Sequence, residues 1–304
     1  MYDIVILGSG PAGLTAAIYA ARAGKKTLVL GGEKLGGQTA GIAKLENYPG
    51  WAGSGLGLSE FMKNQAESFG TEVIMIDAAK IDRIEKDGKT EYLVTDKSGT
   101  EYQSRTVIVA TGASPRKLEV KGAKDFFGKG ISYCATCDGF FFTGKKVLVV
   151  GGGNSALNDA LYLADLADSV KILYRKSSFS RAEHILIERI ESNPKIECMF
   201  DTELAEVGGD ATGLNYAITT KGERLETDGI FVAIGHEANT DFLSEEYKRD
   251  TLGRLKSHEN STKIIDGLFV AGDVRADCKM QIAVATGWGC EAAMDAIAYI
   301  NQHK

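Results

Sequence analysis

Twice in this chain a short apolar run stops at a cluster of glycines and gives way to an alanine-rich stretch. Asp3 to Leu7 ends in Gly8, and the stretch from about Pro11 to Ala23 has the composition of a helix, with Gly24 where a C-terminal cap belongs. Thr27 to Leu30 then reads as a second buried strand, so residues 3–30 form a βαβ unit. The same grammar returns later. Val147 to Val150 is a strand, Gly151-Gly152-Gly153 a turn, Ala156 to Leu166 a helix and Val170 to Leu173 a strand. Strands alternating with helices in this way demand a parallel sheet covered by helices. The reading is therefore an α/β chain with two Rossmann-like dinucleotide-binding domains. Thirty-six glycines against four prolines, without a collagen-like period, fit a chain of many tight turns, and 304 residues leave room for about two domains. Two more strands end in glycine, Thr106 to Gly112 and Ile230 to Gly235, and Leu268 to Asp273 looks like a return to the first domain. The second domain, 114–240, is thus expected to be inserted into the first, 1–113 and 241–304.

The first glycine cluster, Gly8-Ser9-Gly10-Pro11-Ala12-Gly13, follows a strand and opens a helix. Its first glycine makes the tight turn, its second lets the backbone approach a pyrophosphate, and its third lets helix and strand pack closely. Glu33 lies about 20 residues further on, where an acid accepts hydrogen bonds from a ribose diol. Mere loop glycines are the plain alternative, and strand, helix and acid together argue against it. The second cluster, Gly151 to Ala156, includes Gly153, Asn154 and Ser155. At the corresponding ribose position it has cations: Arg175 and Lys176, with Arg181 nearby. Cations suit a 2′-phosphate, whereas a solvated basic strand end is the plain alternative. Two dinucleotide sites in one chain make a flavin and a nicotinamide the natural pairing.

Five cysteines in a chain this long are no disulfide framework. Cys134-Ala135-Thr136-Cys137, followed by Asp138, has the spacing of a redox dithiol, in which one sulfur depresses the pKa of the other. Zinc would need a second pair of ligands. Cys198, Cys278, Cys290 and the four histidines lack such spacing, so no metal is expected. Cys198 and Cys290 read as inert core residues, and Cys278 as an exposed loop residue with no partner. Asp138 is either a surface carboxylate or the general acid for a leaving thiolate. The net charge of −6 offers no global basic field for nucleic acid. No apolar run approaches the roughly 18 residues that span a bilayer, and the N-terminus has no basic n-region, so a soluble cytoplasmic protein is expected.

These motifs together resemble the low-molecular-weight, flavin-dependent thioredoxin reductases. The resemblance rests on the first glycine cluster, Gly36-Gly37-Gln38, Glu46-Asn47-Tyr48-Pro49-Gly50, Ala110-Thr111-Gly112, the Cys134–Gly139 run, the second cluster, and Ala271-Gly272-Asp273-Val274, in that order. It implies an FAD site drawn from Gly8, Gly10, Pro11, Ala12, Gly13, Glu33, Gly37, Gln38, Asn47, Thr111, Gly112, Gly272, Asp273, Gln281 and Ile282. In the mechanism it implies, Cys137 faces the flavin, Cys134 attacks the disulfide of thioredoxin or a thioredoxin-like protein, and Asp138 is the acid/base. It further implies a homodimer, and a domain rotation about hinges near 112–116 and 238–242.

This chain departs from the family pattern on the electron-donor side. The family's nicotinamide segment reads His-Arg-Arg, three residues, then Arg-Ala. Here Tyr174-Arg175-Lys176 is followed by four residues before Arg181-Ala182. Lysine cannot grip a phosphate bidentately as arginine does. Asn158-Asp159 stands in place of two glutamates, and Met280-Gln281 in place of Arg-Gln. NADPH remains the expected donor because the second glycine cluster is intact. Ferredoxin or a reduced deazaflavin is the alternative donor. A flavin dithiol oxidase and a flavin-bound redox sensor are the alternative functions.

Overall fold

The computed structural model spans residues 1–304 and describes all of them except Ala43, Lys44, Asp87, Arg181, Thr212 and Lys304, with only the backbone described at Lys86 and Lys89. The chain forms two compact units, residues 1–114 with 237–304, and residues 115–236.

The first unit is built on a sheet of eight strands among the described residues. Its parallel centre runs Leu268–Val270, Glu101–Val109, Tyr2–Leu7, Thr27–Leu30, Glu72–Ile74, with Ile4 opposite Thr27 and Val5 opposite Val107. Ile4 to Leu7 and Thr27 to Leu30 are buried without a break, as strands covered on both faces must be. Alternate residues divide between two cores. Ile4 and Ile6 meet the first helix, Pro11–Arg22, and the C-terminal helix, Ile282–Gln302. Val5 and Leu7 meet Leu28, Leu30, Tyr92 and Val94 on the other face. The two helices pack through alanines, Ala12, Ala16, Ala17 and Ala20 against Ala285, Ala292, Ala293 and Ala296. Their approach is so close that a Cβ at Gly289 would strike the backbone of Ala12. The antiparallel pair Ala78–Lys86 and Lys89–Asp96 extends the sheet from Glu101–Val109.

The second unit has a five-stranded parallel sheet in the order Ile196–Phe200, Ser169–Tyr174, Lys146–Val150, Gly229–Val232, Ile131–Ser132. Val147 and Val149 pack on Ala156, Ala160 and Leu163 of the helix Asn154–Leu166. That helix starts two residues before the expected Ala156, because Gly153 serves as its N-cap. Leu148 and Val150 face the antiparallel strands Leu204–Asp210, Gly213–Thr219 and Arg224–Glu226 through Val207, Leu214, Ala217 and Leu225. Among the described residues, no helix is long and apolar enough to cross a membrane.

Candidate dinucleotide sites and redox disulfide

In the first unit the turns that follow the parallel strands lie along one edge of the sheet, where α/β sheets bind their ligands. Gly8 has φ +108°, and a Cβ there would meet the Ala110 carbonyl oxygen. A Cβ on Gly13 would strike the Gly8 carbonyl oxygen, whereas one on Gly10 would meet nothing within 4 Å. Gly8 and Gly13 thus let the turn close, and Gly10 leaves its backbone bare. Pro11 occupies the first helical turn, Ala12 is buried beneath it, and no side chain caps the helix, so its first N–H groups and its dipole remain available to an anion. This bare, uncapped cradle has the shape and polarity for a dinucleotide pyrophosphate.

The other residues proposed for the flavin surround that edge. Glu33 is exposed just after Gly32, which has φ +78°. Gly37 (φ +54°) opens a short 3-10 turn, from which Gln38 Nε2 donates to the Ala113 carbonyl at 2.8 Å. Asn47 Nδ2 donates to Gln281 Oε1 at 3.2 Å, and Gln281 is the uncapped N-cap of the helix that starts at Ile282. Thr111 Oγ1 donates to the Asn239 carbonyl at 2.7 Å and its own carbonyl accepts from Asn239 Nδ2 at 2.9 Å, so Thr111 ties two passes of the chain together beside Gly112. Gly272 has φ +73° and begins a 3-10 turn carrying the half-buried Asp273. Cys278 corrects the sequence reading. It is only 5% exposed, its N–H donates to the Arg275 carbonyl at 3.3 Å in a turn that folds the loop back, and its Sγ lies 3.5 Å from Asp273 Oδ1. Burial, with Asp273 beside it, pushes this thiol up to about 12, so it stays protonated and donates. Cys198 and Cys290, expected as core residues, are by contrast only half-buried: one lies on the edge strand Ile196–Phe200, the other on the C-terminal helix with its Sγ 3.9 Å from Met294.

The second cluster repeats the same device. Gly151 has φ +145°, and a Cβ there would meet the Ala233 carbonyl. Ala156 is fully buried in the position held by Gly13 in the first cluster. Gly153 is open on its Cβ side, and its helix too has no side-chain cap. Gly152 lies under the ring of Tyr174, which stacks on Phe179 with centroids 5.7 Å apart. Asn154 and Glu183 exchange two hydrogen bonds: Asn154 Nδ2 donates to Glu183 Oε1 at 2.8 Å, and Glu183 N–H donates to Asn154 Oδ1 at 2.7 Å. Ser155, Arg175 and Lys176 are exposed, the cations just beyond the end of the strand Ser169–Tyr174. Arg181 lies outside the described residues.

On the same helix, burial pushes the Asp159 carboxyl up to about 7. An acid whose folded pKa is raised holds its proton after the unfolded chain has released it. Asp159 should therefore weaken the fold as pH rises from about 4 to about 7, and the deficit should persist above that. Asp159→Asn is expected to stabilise the protein at pH 8 by up to about 4 kcal/mol and to leave it nearly unchanged at pH 4, as denaturant melts at the two pH values will show.

The disulfide turn follows the short strand Ile131–Ser132. Cys134 and Cys137 are joined, with their Cα atoms 5.3 Å apart across the single helical turn Ala135–Asp138. Cys134 is half-buried and Cys137 exposed. The Cys137 N–H points at Cys134 Sγ at 3.2 Å, and Thr136 Oγ1 lies 3.6 Å from the same sulfur. Asp138 Oδ2 accepts from the buried Ser132 hydroxyl at 2.6 Å, and the Cys134 N–H donates to Ser132 Oγ at 3.0 Å. Immediately downstream, Phe140 and Phe141 are 74% and 69% exposed, while Phe142 turns inward onto Phe231 at 5.2 Å. Sequence reasoning missed Ser132, Phe140 and Phe141. The run of three phenylalanines was the available signal for the last two, since a single helical turn cannot bury three successive side chains.

The family described as "Pyridine nucleotide-disulphide oxidoreductase" matches residues 2–289. A thioredoxin reductase of Rickettsia bellii is 42% identical over 309 residues, covering 98% of each chain. The chain belongs to the low-molecular-weight thioredoxin reductase family. Among solved structures, the thioredoxin reductase of Lactococcus lactis matches with a TM-score of 0.92 and 36% identity, covering 99% of this chain and 100% of that one. That of T. acidophilum matches with 0.89 and 31%, covering 100% and 99%. These matches run nearly the whole length of the chain.

Proposed function

We propose that this chain is an FAD-dependent enzyme that passes electrons from NADPH to the disulfide of thioredoxin or a thioredoxin-like protein through Cys134 and Cys137. The observation that carries the reading is the disulfide turn, in which an exposed Cys137 is joined to a sulfur that accepts a backbone N–H, beside a positioned carboxylate. Membership of the family and the two bare glycine cradles support the cofactors. FAD fits the first cradle, with the pyrophosphate against Gly10 and the helix at Pro11, Glu33 at a ribose, and Asp273 and the Gln281–Ile282 helix start at the remaining hydroxyl and ring edges. Bound there, FAD supplies two-electron exchange between the donor and the disulfide. NADPH fits the second cradle, with Gly153 and the helix start at the pyrophosphate and Arg175 and Lys176 at the 2′-phosphate.

The chain's own chemistry begins once the disulfide is a dithiol. The Cys137 N–H stabilises negative charge on Cys134 Sγ, which favours the thiolate of the residue that attacks. Cys134 gives its proton to Asp138 and attacks the partner disulfide, forming a mixed disulfide and expelling one partner sulfur, which takes that proton back from Asp138. Cys137 then attacks Cys134 Sγ, restores the internal disulfide and releases the partner's second sulfur. Phe140 and Phe141 supply an exposed apolar platform next to this turn for the partner to cover. Replacing both by alanine should raise KM for thioredoxin about tenfold or more, and leave turnover of a small nitrothiobenzoate disulfide unchanged. A cytoplasmic homodimer is the family's implication for its setting.

Mixing the flavin-loaded protein anaerobically with NADPH, and separately with NADH, tests the donor. Bleaching of the flavin absorbance at micromolar NADPH, with NADH much weaker, is the expected result. A flavin that dithionite reduces but neither nucleotide bleaches would move the donor to ferredoxin or a deazaflavin.

A further inference from the structure

Ser132 has one hydroxyl proton and two acceptors within reach: Asp138 Oδ2 at 2.6 Å and the Cys134 carbonyl at 3.3 Å. The shorter contact goes to a carboxylate, and hydrogen bonds to ionised groups are the shorter and stronger ones. The same oxygen accepts the Cys134 N–H at 3.0 Å, so a single buried hydroxyl, 5% exposed, joins the backbone of one cysteine to the carboxylate beside the other. Ser132 sits at the end of a strand whose Ile131 and Ser132 are registered to Ile230 and Phe231 in the sheet of the second unit. The hydroxyl is therefore fixed by the sheet, whereas Asp138 sits at the end of a single helical turn and, among the described residues, no other hydrogen bond holds its side chain.

We propose that Ser132 is a positioning residue for Asp138, holding the carboxylate where it exchanges a proton with the sulfurs of the Cys134–Cys137 turn. The inference rests on the acid/base reading of Asp138. In the step it serves, the Cys134 thiol gives its proton to Asp138, the Cys134 sulfur bonds to one partner sulfur, and the partner S–S bond breaks. The departing sulfur takes the proton back from Asp138. The Cys137 thiol then loses its proton to solvent, bonds to Cys134 Sγ and expels the second partner sulfur, which is protonated from solvent. The dithiol is oxidised by two electrons and the partner disulfide reduced by the same two.

The test compares Ser132→Thr with Ser132→Val, which have the same shape and differ in the hydroxyl, together with Asp138→Asn and the double variant Ser132→Val/Asp138→Asn. Thioredoxin turnover by each flavin-loaded enzyme is measured alongside the rate of flavin reduction by the donor. Asp138→Asn should lower kcat for thioredoxin about a hundredfold, within the usual worth of a general acid or base. Ser132→Val should lower it at least about tenfold with KM unchanged, since displacing a catalytic group by an ångström carries a cost of that order. Ser132→Thr should restore most of that loss, the double variant should be no slower than Asp138→Asn, and flavin reduction should stay at the wild-type rate in the Ser132 variants. If Asp138→Asn is slow while Ser132→Val matches Ser132→Thr, or if the two losses multiply in the double variant, the positioning role is overturned and the reading of Asp138 stands. If Asp138→Asn turns over at the wild-type rate, the acid/base reading itself fails, and the role for Ser132 with it.

Discussion

Cys134→Ser should reduce thioredoxin at no measurable rate while NADPH bleaches its flavin as fast as in the parent protein. In the proposed mechanism the two half-reactions use different parts of the chain: the glycine cradles would hold the nucleotides, and the turn at 134–138 would carry the sulfur chemistry. A serine hydroxyl at 134 stays protonated near neutral pH and cannot act as the thiolate nucleophile that thiol–disulfide exchange needs. The steady-state loss should exceed about a thousandfold, in line with removal of a nucleophile from a concerted set. Cys137→Ser should show the same steady-state loss by another route. Cys134 can still attack, but nothing is left to displace the bound partner, so a mixed disulfide through Cys134 should accumulate and be visible by intact mass. Wild-type disulfide turnover in either variant would contradict the assigned roles.

Gly10→Val should fold normally and purify without flavin. Gly10 has φ −72° and ψ 178°, extended backbone that a β-branched residue adopts readily, and a Cβ there meets nothing within 4 Å. The substitution therefore leaves the fold unstrained and puts its side chain into the open cradle. FAD affinity should fall at least about a hundredfold, or about 2.7 kcal/mol, with a melting temperature equal to that of the parent apoprotein. Gly13→Val makes the opposite demand. Its Cβ would strike the Gly8 carbonyl oxygen, so strand and helix must separate and the apoprotein itself should melt earlier. Full flavin occupancy in Gly10→Val would show that the flavin does not bind at this cradle.

How far the sequence carries depends on the range of the forces involved. Both βαβ units were legible because their determinants are local: continuous Val/Ile/Leu runs, the glycine turns and the alanine-rich helices. The return of Leu268–Val270 to the first sheet was legible for the same reason, from a short apolar run that now pairs with Val107 to Val109. The helix after the second cluster starts earlier than its alanines indicate, since Asn154 and Ser155 sit on an N-terminus capped by Gly153. Cys278 could not be read, because its burial and its contact with Asp273 depend on how a loop of mixed composition folds back. The pairing of Asn154 with Glu183 links residues on either side of a strand and a loop, and no local pattern announces it. Ser132 is the sharpest case. Its residue type is ordinary, and its significance comes entirely from a strand register that aims one hydroxyl at Asp138.

In the proposed mechanism the chain stores electrons in two places, a flavin and the Cys134–Cys137 disulfide, and delivers them to thioredoxin from the second. An anaerobic dithionite titration of the flavin-loaded protein, followed by addition of oxidised thioredoxin, measures this directly. The expected result is uptake of one two-electron equivalent for the flavin and a further one for the disulfide, with the further one absent from a Cys134→Ser/Cys137→Ser double variant, and full flavin reoxidation when thioredoxin is added to the parent protein. Uptake equal in the parent and the double variant, or a reduced flavin left untouched by thioredoxin, would contradict it.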